Sequence, residues 1–219
     1  MDHSIPPALR AQIDAADFIC GSDECGLGSW AGPLSVCAAV VPRGWTWPGV
    51  TDSKKLTRQA RERVYPQLIG QITYSVVHVS PQEFDAKGAG PILIEAHARA
   101  ISGALKAHQG KGHRDTPLCI IDGLRPVLAA TPLPKADLLI PAVSAASIIA
   151  KVRHDWAMDE LDRQLPGYGF SKNAGYGTPQ HRAALAQLGV SKAHRRSYQP
   201  MSGMVSSGDD VFTMLCGLE

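Results

Sequence analysis

The feature that most constrains this chain is an apolar segment that ends in two adjacent carboxylates and a glycine turn. The segment 18–20 leads to Asp23 and Glu24, and Gly26-Leu27-Gly28 follows at once. Two carboxylates at the end of a buried strand raise each other's pKa, because each disfavours the ionised form of the other. A divalent cation between them removes that cost. A lone Asp-Glu pair is more often simply solvated, so the rest of the chain must decide.

The composition is that of an ordinary globular domain. The chain has 219 residues, 44% hydrophobic and 19% charged, with a net charge of +2. We expect one domain over residues 1–200, with a helical C-terminal part at about 155–200 and a flexible tail over 201–219. Five cysteines without a CxxC pair indicate a reducing compartment. Since no segment is apolar enough for a signal or a membrane span, we expect a cytoplasmic monomer without membrane association.

Apolar periodicity predicts the order of strands and helices. Predicted strands cover 16–23, 34–41, 72–79, 118–121 and 137–140. Predicted helices cover 92–108, 143–161 and 179–188, a further helix runs from Asp52 or Ser53 to about Ile69, and 81–90 is a short helix or loop. Three strands with short connections, followed by strands separated by helices, predict an α/β fold. Its mixed sheet has three antiparallel strands first.

Acidic residues lie at the predicted strand ends. They are Asp23, Glu24, Asp122 and Asp137. If the strands are neighbours, the four carboxylates share one site, and oxygen donors without Cys or His favour Mg²⁺ or Mn²⁺ over zinc. Such a cluster can hold two ions about 4 Å apart that act on a phosphodiester. Because successive strand side chains face opposite ways, we expect Glu24 where the strand breaks into the turn.

The glycine turn does not fit a dinucleotide-binding loop. Its spacing is not G-x-G-x-x-G, it leads through Pro33 into a strand, and the preceding carboxylates would repel a pyrophosphate. Two interpretations stay open. The glycines let a nucleic-acid backbone approach main-chain N–H groups, or they only form a tight turn.

Several sequence blocks resemble one enzyme family. The segment 23–33 resembles the signature turn of type 2 ribonucleases H, in particular bacterial ribonuclease HII. Further blocks match in family order over about residues 17–198: 52–56, 121–123, 144–152 with Asp155, 175–178 with His181, and 194–198. Each block alone is weak, but together they are specific.

The resemblance implies a ribonuclease H-like fold with a helical C-terminal extension and a role in replication and DNA repair. It implies hydrolysis of RNA in RNA–DNA hybrids. It also implies nicking 5′ to ribonucleotides embedded in duplex DNA, which leaves a 3′-hydroxyl and a 5′-phosphate. The family's catalytic metal ligands correspond to Asp23, Glu24, Asp122 and Asp137, with Mg²⁺ or Mn²⁺ as cofactor.

Substrate-binding residues follow from the same resemblance. Gly26, Leu27, Gly28 and Tyr176 match positions that recognise the ribose 2′-hydroxyl, the group that distinguishes RNA from DNA. Lys54, Lys151 and Arg195 are candidate phosphate contacts. Each has a structural alternative: a packed tyrosine, or a solvated helix face.

The chain departs from the family pattern in the turn. Leu27 stands where the family usually has arginine, which puts preference for the DNA–RNA junction in question. Trp30 replaces a leucine and either stacks on substrate or fills a gap.

Two other functions remain alternatives. One is a hybrid-binding relative with weak or no cleavage, although four retained carboxylates argue against it. The other is a different two-metal nuclease on the same fold. A replication clamp is a candidate partner of the C-terminal tail.

Overall fold

The computed structural model describes residues 4–47, 56–123 and 125–204. Its strands are β1 (Phe18–Cys25), β2 (Leu34–Pro42), β3 (Thr73–Val79), β4 (Leu118–Asp122) and β5 (Thr131–Leu133). Its helices are α1 (Pro7–Ala15), α2 (Arg58–Ile69), α3 (Pro81–Lys87), α4 (Ala89–Gly110), α5 (Pro141–Gln164), α6 (Phe170–Asn173), α7 (Pro179–Leu188) and α8 (Met201–Met204). A 3₁₀ helix spans Ala136–Leu138.

The strands form one mixed sheet in the order β3-β2-β1-β4-β5. β1 pairs antiparallel with β2, and β2 antiparallel with β3. β4 runs parallel to both β1 and β5. The prediction of a mixed sheet whose first three strands are antiparallel is therefore confirmed.

The last predicted strand is wrong. Residues 137–140 contain the 3₁₀ turn, in which the Leu139 and Ile140 N–H groups both donate to the Ala136 carbonyl. A four-residue apolar run has too little periodicity to distinguish a strand from a helical turn. The fifth strand is β5, which lies directly before that turn.

The helices differ from the prediction both in their boundaries and in their number. The start predicted at Asp52 or Ser53 lies outside the described residues, and α2 begins after Thr57, whose hydroxyl accepts from the Ala60 N–H at 3.2 Å. Helices α1 and α6 were not predicted. Helix α8 occupies the start of the predicted tail and buries Met201, so that prediction applies only to 205–219, outside the described residues.

Helices cover both faces of the sheet because alternate strand residues are apolar on both sides. Cys37 and Ala39 of β2 belong to the cluster formed with α5, whereas Val36 and Ala38 belong to the cluster formed with α4. Helix α5 approaches closely at its first turn. A Cβ on Gly21 would lie 2.2 Å from the Val143 nitrogen, which requires glycine there.

The C-terminal helices have a core of their own. Phe170, Leu185 and Met201 are buried together, and this third cluster also contains Ala31 and Met158. Ala31 follows the glycine turn, so the cluster connects the C-terminal helices to the end of β1. This layout places the C-terminal part beside the predicted site.

β1 extends beyond β4. Its pairing with β4 covers Ile19 to Ser22, whereas its pairing with β2 continues to Cys25. The last residues of β1 therefore have a hydrogen-bonded neighbour on one side and an open edge on the other.

Candidate active site

A cavity of about 450 Å³ lies at this open edge. Its lining residues come from β1, the glycine turn, the end of β4, helices α2 and α5, and the loop between α6 and α7: Asp23, Glu24, Cys25, Gly26, Leu27, Gly28, Arg61, Asp122, Ser147, Lys151 and Tyr176. The structure thus brings together three of the four predicted carboxylates, the glycine turn and the predicted tyrosine.

Asp23 and Glu24 reach this cavity from opposite faces of the sheet. Asp23 shares its face with Ile19, which packs toward α5, and Glu24 shares its face with Cys20, which packs toward α4. The strand is not broken at Glu24 as we expected, because Glu24 pairs with Val36 in regular register. Both side chains line the cavity because β1 has no neighbour on that side beyond Ser22.

Asp23 is a desolvated carboxyl. It is 6% exposed. Burial, followed by the negative charge of Glu24, raises its pKa to about 8, and Asp122 adds to this rise. The Ser147 hydroxyl and the Glu24 N–H, which donates at 2.8 Å, oppose the rise only in part. A proton or a cation must therefore compensate this carboxylate at neutral pH.

Asp122 and Asp137 differ in position. Asp122 lines the cavity, and its Oδ1 accepts from the Ala136 N–H at 2.8 Å. Asp137, the next residue, is 2% exposed on the 3₁₀ helix and does not line the cavity. The segment that carries Asp137 is thus held next to Asp122 by the Ala136 hydrogen bond, and Asp137 lies on a 3₁₀ helix and not at a strand end as predicted.

The donor set suits a hard divalent cation. The three cavity carboxylates supply oxygen ligands alone, and burial beside the Glu24 carboxylate raises the pKa of Asp23, a cost that a bound cation would remove. Within the described ranges, no three of the four predicted carboxylates place oxygens within 4.8 Å of one another. An ion bound here would therefore draw these side chains together.

Two side chains hold the glycine turn in place by hydrogen bonds to its backbone. The Leu27 carbonyl accepts from Arg195 Nη1 at 2.6 Å and from the Tyr198 hydroxyl at 2.7 Å. Arg195 also donates to the Gly32 carbonyl and is fully buried. The expected phosphate contact of Arg195 is wrong in this structure, because the buried guanidinium instead fixes the backbone of the turn.

Tyr176 stands over the turn. It is 42% exposed, and a Cβ built on Gly28 would lie 3.6 Å from its ring. Burial raises the pKa of its hydroxyl, so it stays a hydrogen-bond donor at neutral pH. Its carbonyl accepts from His181 Nδ1 at 3.0 Å. A Cβ on Gly177 would lie 2.2 Å from the Trp30 ring, so Trp30 fills the gap beneath this loop.

Lys151 carries the cavity's positive charge together with Arg61. Lys151 Nζ donates to Asp155 at 2.6 Å, which confirms the predicted i,i+4 pair. Arg61 Nη2 contacts the other Asp155 oxygen at 3.4 Å. Although burial opposes it, hydrogen bonding from His154 and Lys151 lowers the pKa of Asp155 to about 2. The remaining candidate cation, Lys54, lies outside the described residues.

Sequence reasoning missed His97. Its Nε2 lies 3.3 Å from Glu24 Oε2, and it is 2% exposed on α4. In the sequence, the only indication was that His97 lies four residues before Ile101, on the apolar face of the helix predicted over 92–108. That signal alone does not show which strand the helix face covers.

Comparison with known proteins agrees with this geometry. The family model described as Ribonuclease HII matches residues 20–201. The chain belongs to the ribonuclease HII family. It is 39% identical to Ribonuclease HII of Burkholderia pseudomallei (strain 1710b) over 200 residues, 89% of each chain. It is also 39% identical to Ribonuclease HII of Desulfitobacterium hafniense (strain Y51) over 84% of this chain and 69% of the relative.

Solved structures of the family have the same fold. Ribonuclease H2 from Pyrococcus horikoshii OT3 gives a TM-score of 0.69 at 26% identity, covering 86% of this chain and 97% of that one. RNase HII from Archaeoglobus fulgidus, solved in complex with PCNA, gives 0.68 at 27% identity, covering 83% and 95%. The chain is therefore a type 2 ribonuclease H, an endonuclease that hydrolyses RNA in RNA–DNA substrates, with a ribonuclease H-like fold.

In the part of the chain that the structure describes, no helix is both long and apolar enough to span a membrane.

Proposed function

We propose that this ribonuclease H cuts hybrids and also nicks duplex DNA on the 5′ side of a single embedded ribonucleotide, as a step in ribonucleotide removal during replication and repair. The observation that carries the proposal is the union, in one cavity, of the desolvated Asp23 carboxyl, the glycine turn and Tyr176. The buried Asp23 carboxylate requires a compensating cation, and the glycine turn and Tyr176 provide a surface for a ribose.

Asp23, Glu24 and Asp122 are the residues that would hold Mg²⁺ or Mn²⁺, with Asp137 joining through the segment tied to Asp122. The metal, when bound, supplies Lewis-acid stabilisation of a phosphoryl oxygen and lowers the pKa of a water. The chain's own residues position the site. Ser147 donates to Asp23 from α5, and Lys151 adds positive charge to the wall that faces a phosphate.

Ribose selection rests on the turn and the tyrosine. The Leu27 carbonyl accepts hydrogen bonds from Arg195 and Tyr198, and these bonds fix the orientation of the neighbouring peptide groups. The Tyr176 hydroxyl is a neutral donor on an exposed ring above Gly28. A 2′-hydroxyl can both donate and accept, so fixed main-chain groups and a phenol can distinguish it from a deoxyribose. This recognition does not require the arginine that Leu27 replaces.

The test compares three labelled duplexes: one embedded ribonucleotide, a full RNA–DNA hybrid, and DNA alone. We expect wild-type protein to cut the first two in Mg²⁺ or Mn²⁺, and Asp23→Asn to cut neither. Cleavage of the hybrid alone would overturn the junction proposal. Binding without cleavage would favour the hybrid-binding relative, and cutting of DNA alone would favour another two-metal nuclease.

The clamp contact stays a prediction. The relative from Archaeoglobus fulgidus was solved with PCNA, and the tail of this chain that would make such a contact lies at 205–219, outside the described residues.

A further inference from the structure

We infer that His97 is a positioning residue that fixes the Glu24 carboxylate, and that Ser22 holds the His97 ring in the orientation in which it does so. The inference rests on the proposed function, in which Glu24 is a metal ligand. It concerns residues of this chain that the metal-site prediction did not include.

The three side chains form a continuous buried path. His97 Nδ1 lies 2.8 Å from Ser22 Oγ, and His97 Nε2 lies 3.3 Å from Glu24 Oε2. Ser22 is fully buried, and its hydroxyl donates to the Cys37 carbonyl at 2.9 Å. The path therefore connects the interior of the sheet, through a helix on one face, to the cavity.

Hydrogen-bonding roles at both ends of this path support the ring orientation. An ionised carboxylate only accepts hydrogen bonds, so His97 must donate from Nε2 to Glu24. The Ser22 hydroxyl donates to the Cys37 carbonyl, and the Ser22 oxygen lies against His97 Nδ1. Ser22 thus holds the imidazole ring in the orientation that presents Nε2 to Glu24.

This path gives the two adjacent carboxylates separate supports. Asp23 is held by Ser147 of α5 on one face of the sheet, and Glu24 by His97 of α4 on the other. Because β1 is unpaired on the β4 side there, neither side chain is constrained by a strand on that side. His97 limits the rotamers of Glu24, whose side chain is 23% exposed, before any ion binds.

The expected effect is that of losing an outer-shell partner of a metal ligand, about 10- to 100-fold in metal affinity. We expect His97→Ala to weaken Mn²⁺ binding by about that factor in calorimetry, without any substrate present. The Mn²⁺ concentration for half-maximal cleavage should rise in parallel. His97→Gln retains an amide donor and should recover most of the affinity, and Ser22→Ala should give an intermediate loss.

The matched control is His194→Ala. His194 is another buried histidine, its Nε2 lies 3.0 Å from His181 Nε2, and it does not line the cavity. Its removal should leave Mn²⁺ affinity unchanged. If His97→Ala binds Mn²⁺ as tightly as His194→Ala does, or if His97→Gln recovers nothing, the inference is wrong.

A second readout does not depend on any variant folding. Nitrogen-15 imidazole shifts of His97 in the metal-free wild-type protein should show a proton on Nε2, and a His97 ring without a proton on Nε2 would overturn the inference. Failure of the proposed function looks different: wild-type protein that binds no Mn²⁺ and cuts no substrate refutes that function, whereas wild-type binding with unaffected His97 variants refutes only this inference.

Discussion

Replacing Asp23 with Asn should make the metal-free protein less sensitive to alkaline pH. Burial and the charge of Glu24 raise the Asp23 pKa from 3.8 to about 8 on folding. The folded carboxyl therefore retains a proton that the unfolded chain releases. Its contribution to stability is fully present below pH 3.8 and is lost as pH rises through about 8. Asn has the same shape and no charge to desolvate.

The magnitude follows from linkage. One proton difference between the states changes the free energy of unfolding by about 1.4 kcal/mol per pH unit. Between about pH 5.5 and about pH 7.5, wild-type protein should lose about 2.5 kcal/mol relative to Asp23→Asn. Other titrating groups are present in both proteins, so the difference isolates Asp23 to a first approximation.

The assay is urea unfolding in EDTA at both pH values for both proteins. The Asn variant should also fail to cut substrate when Mg²⁺ is restored, so a gain in alkaline stability accompanies a loss of activity. Parallel pH dependences of the two proteins would refute the reasoning, because they would mean that Asp23 titrates in the folded protein as it does in the unfolded chain.

Three further predictions address the walls of the cavity and its support. Gly28→Ala should fold within about 0.5 kcal/mol of wild type, since its Cβ meets only the Tyr176 ring at 3.6 Å. It should nevertheless lower kcat/KM at an embedded ribonucleotide by about tenfold, and equal kinetics would contradict this. Asp155→Asn should destabilise the protein by about 2–3 kcal/mol in thermal unfolding, because it removes the charge paired with buried Arg61; a loss below about 1 kcal/mol would be the contrary result. Burial and the nearby His181 charge lower the His194 pKa from 6.5 to about 4, so its contribution is present above pH 6.5 and lost as pH falls toward 4. Relative to His194→Gln, wild-type protein should lose about 3 kcal/mol over that range, and no relative loss would show a solvated imidazole.

Four of the five strands and most of the carboxylate cluster could be predicted from the sequence. Asp122 ends β4 and Asp23 lies near the end of β1, both strands have a clear apolar pattern, and parallel neighbours bring such ends together. Asp137 was assigned to a strand because a short apolar run carries too little periodicity. Its segment is instead a 3₁₀ turn held by Asp122, a contact between elements that no local pattern encodes.

Two other residues of the site could not be assigned their partners from the sequence, because those contacts depend on tertiary packing. Arg195 looked like a surface cation, but the C-terminal core buries it and turns its guanidinium toward carbonyls of the glycine turn. His97 looked like one residue of an amphipathic helix, and only the packing of α4 over β1 brings it to Glu24. In both cases, the residue type was visible in the sequence and its partner was not.

The central claim is that a desolvated carboxylate cavity beside a glycine turn and a tyrosine directs a metal-dependent cut to the 5′ side of a ribonucleotide. The most direct measurement is mapping of the cut in a duplex with one ribonucleotide, in Mg²⁺, with the matched all-DNA duplex and Asp23→Asn as controls. The account predicts one nick 5′ to the ribonucleotide with a 3′-hydroxyl and a 5′-phosphate, made by wild type alone. A cut 3′ to the ribonucleotide, a nick in the all-DNA duplex, or full activity of Asp23→Asn would contradict it.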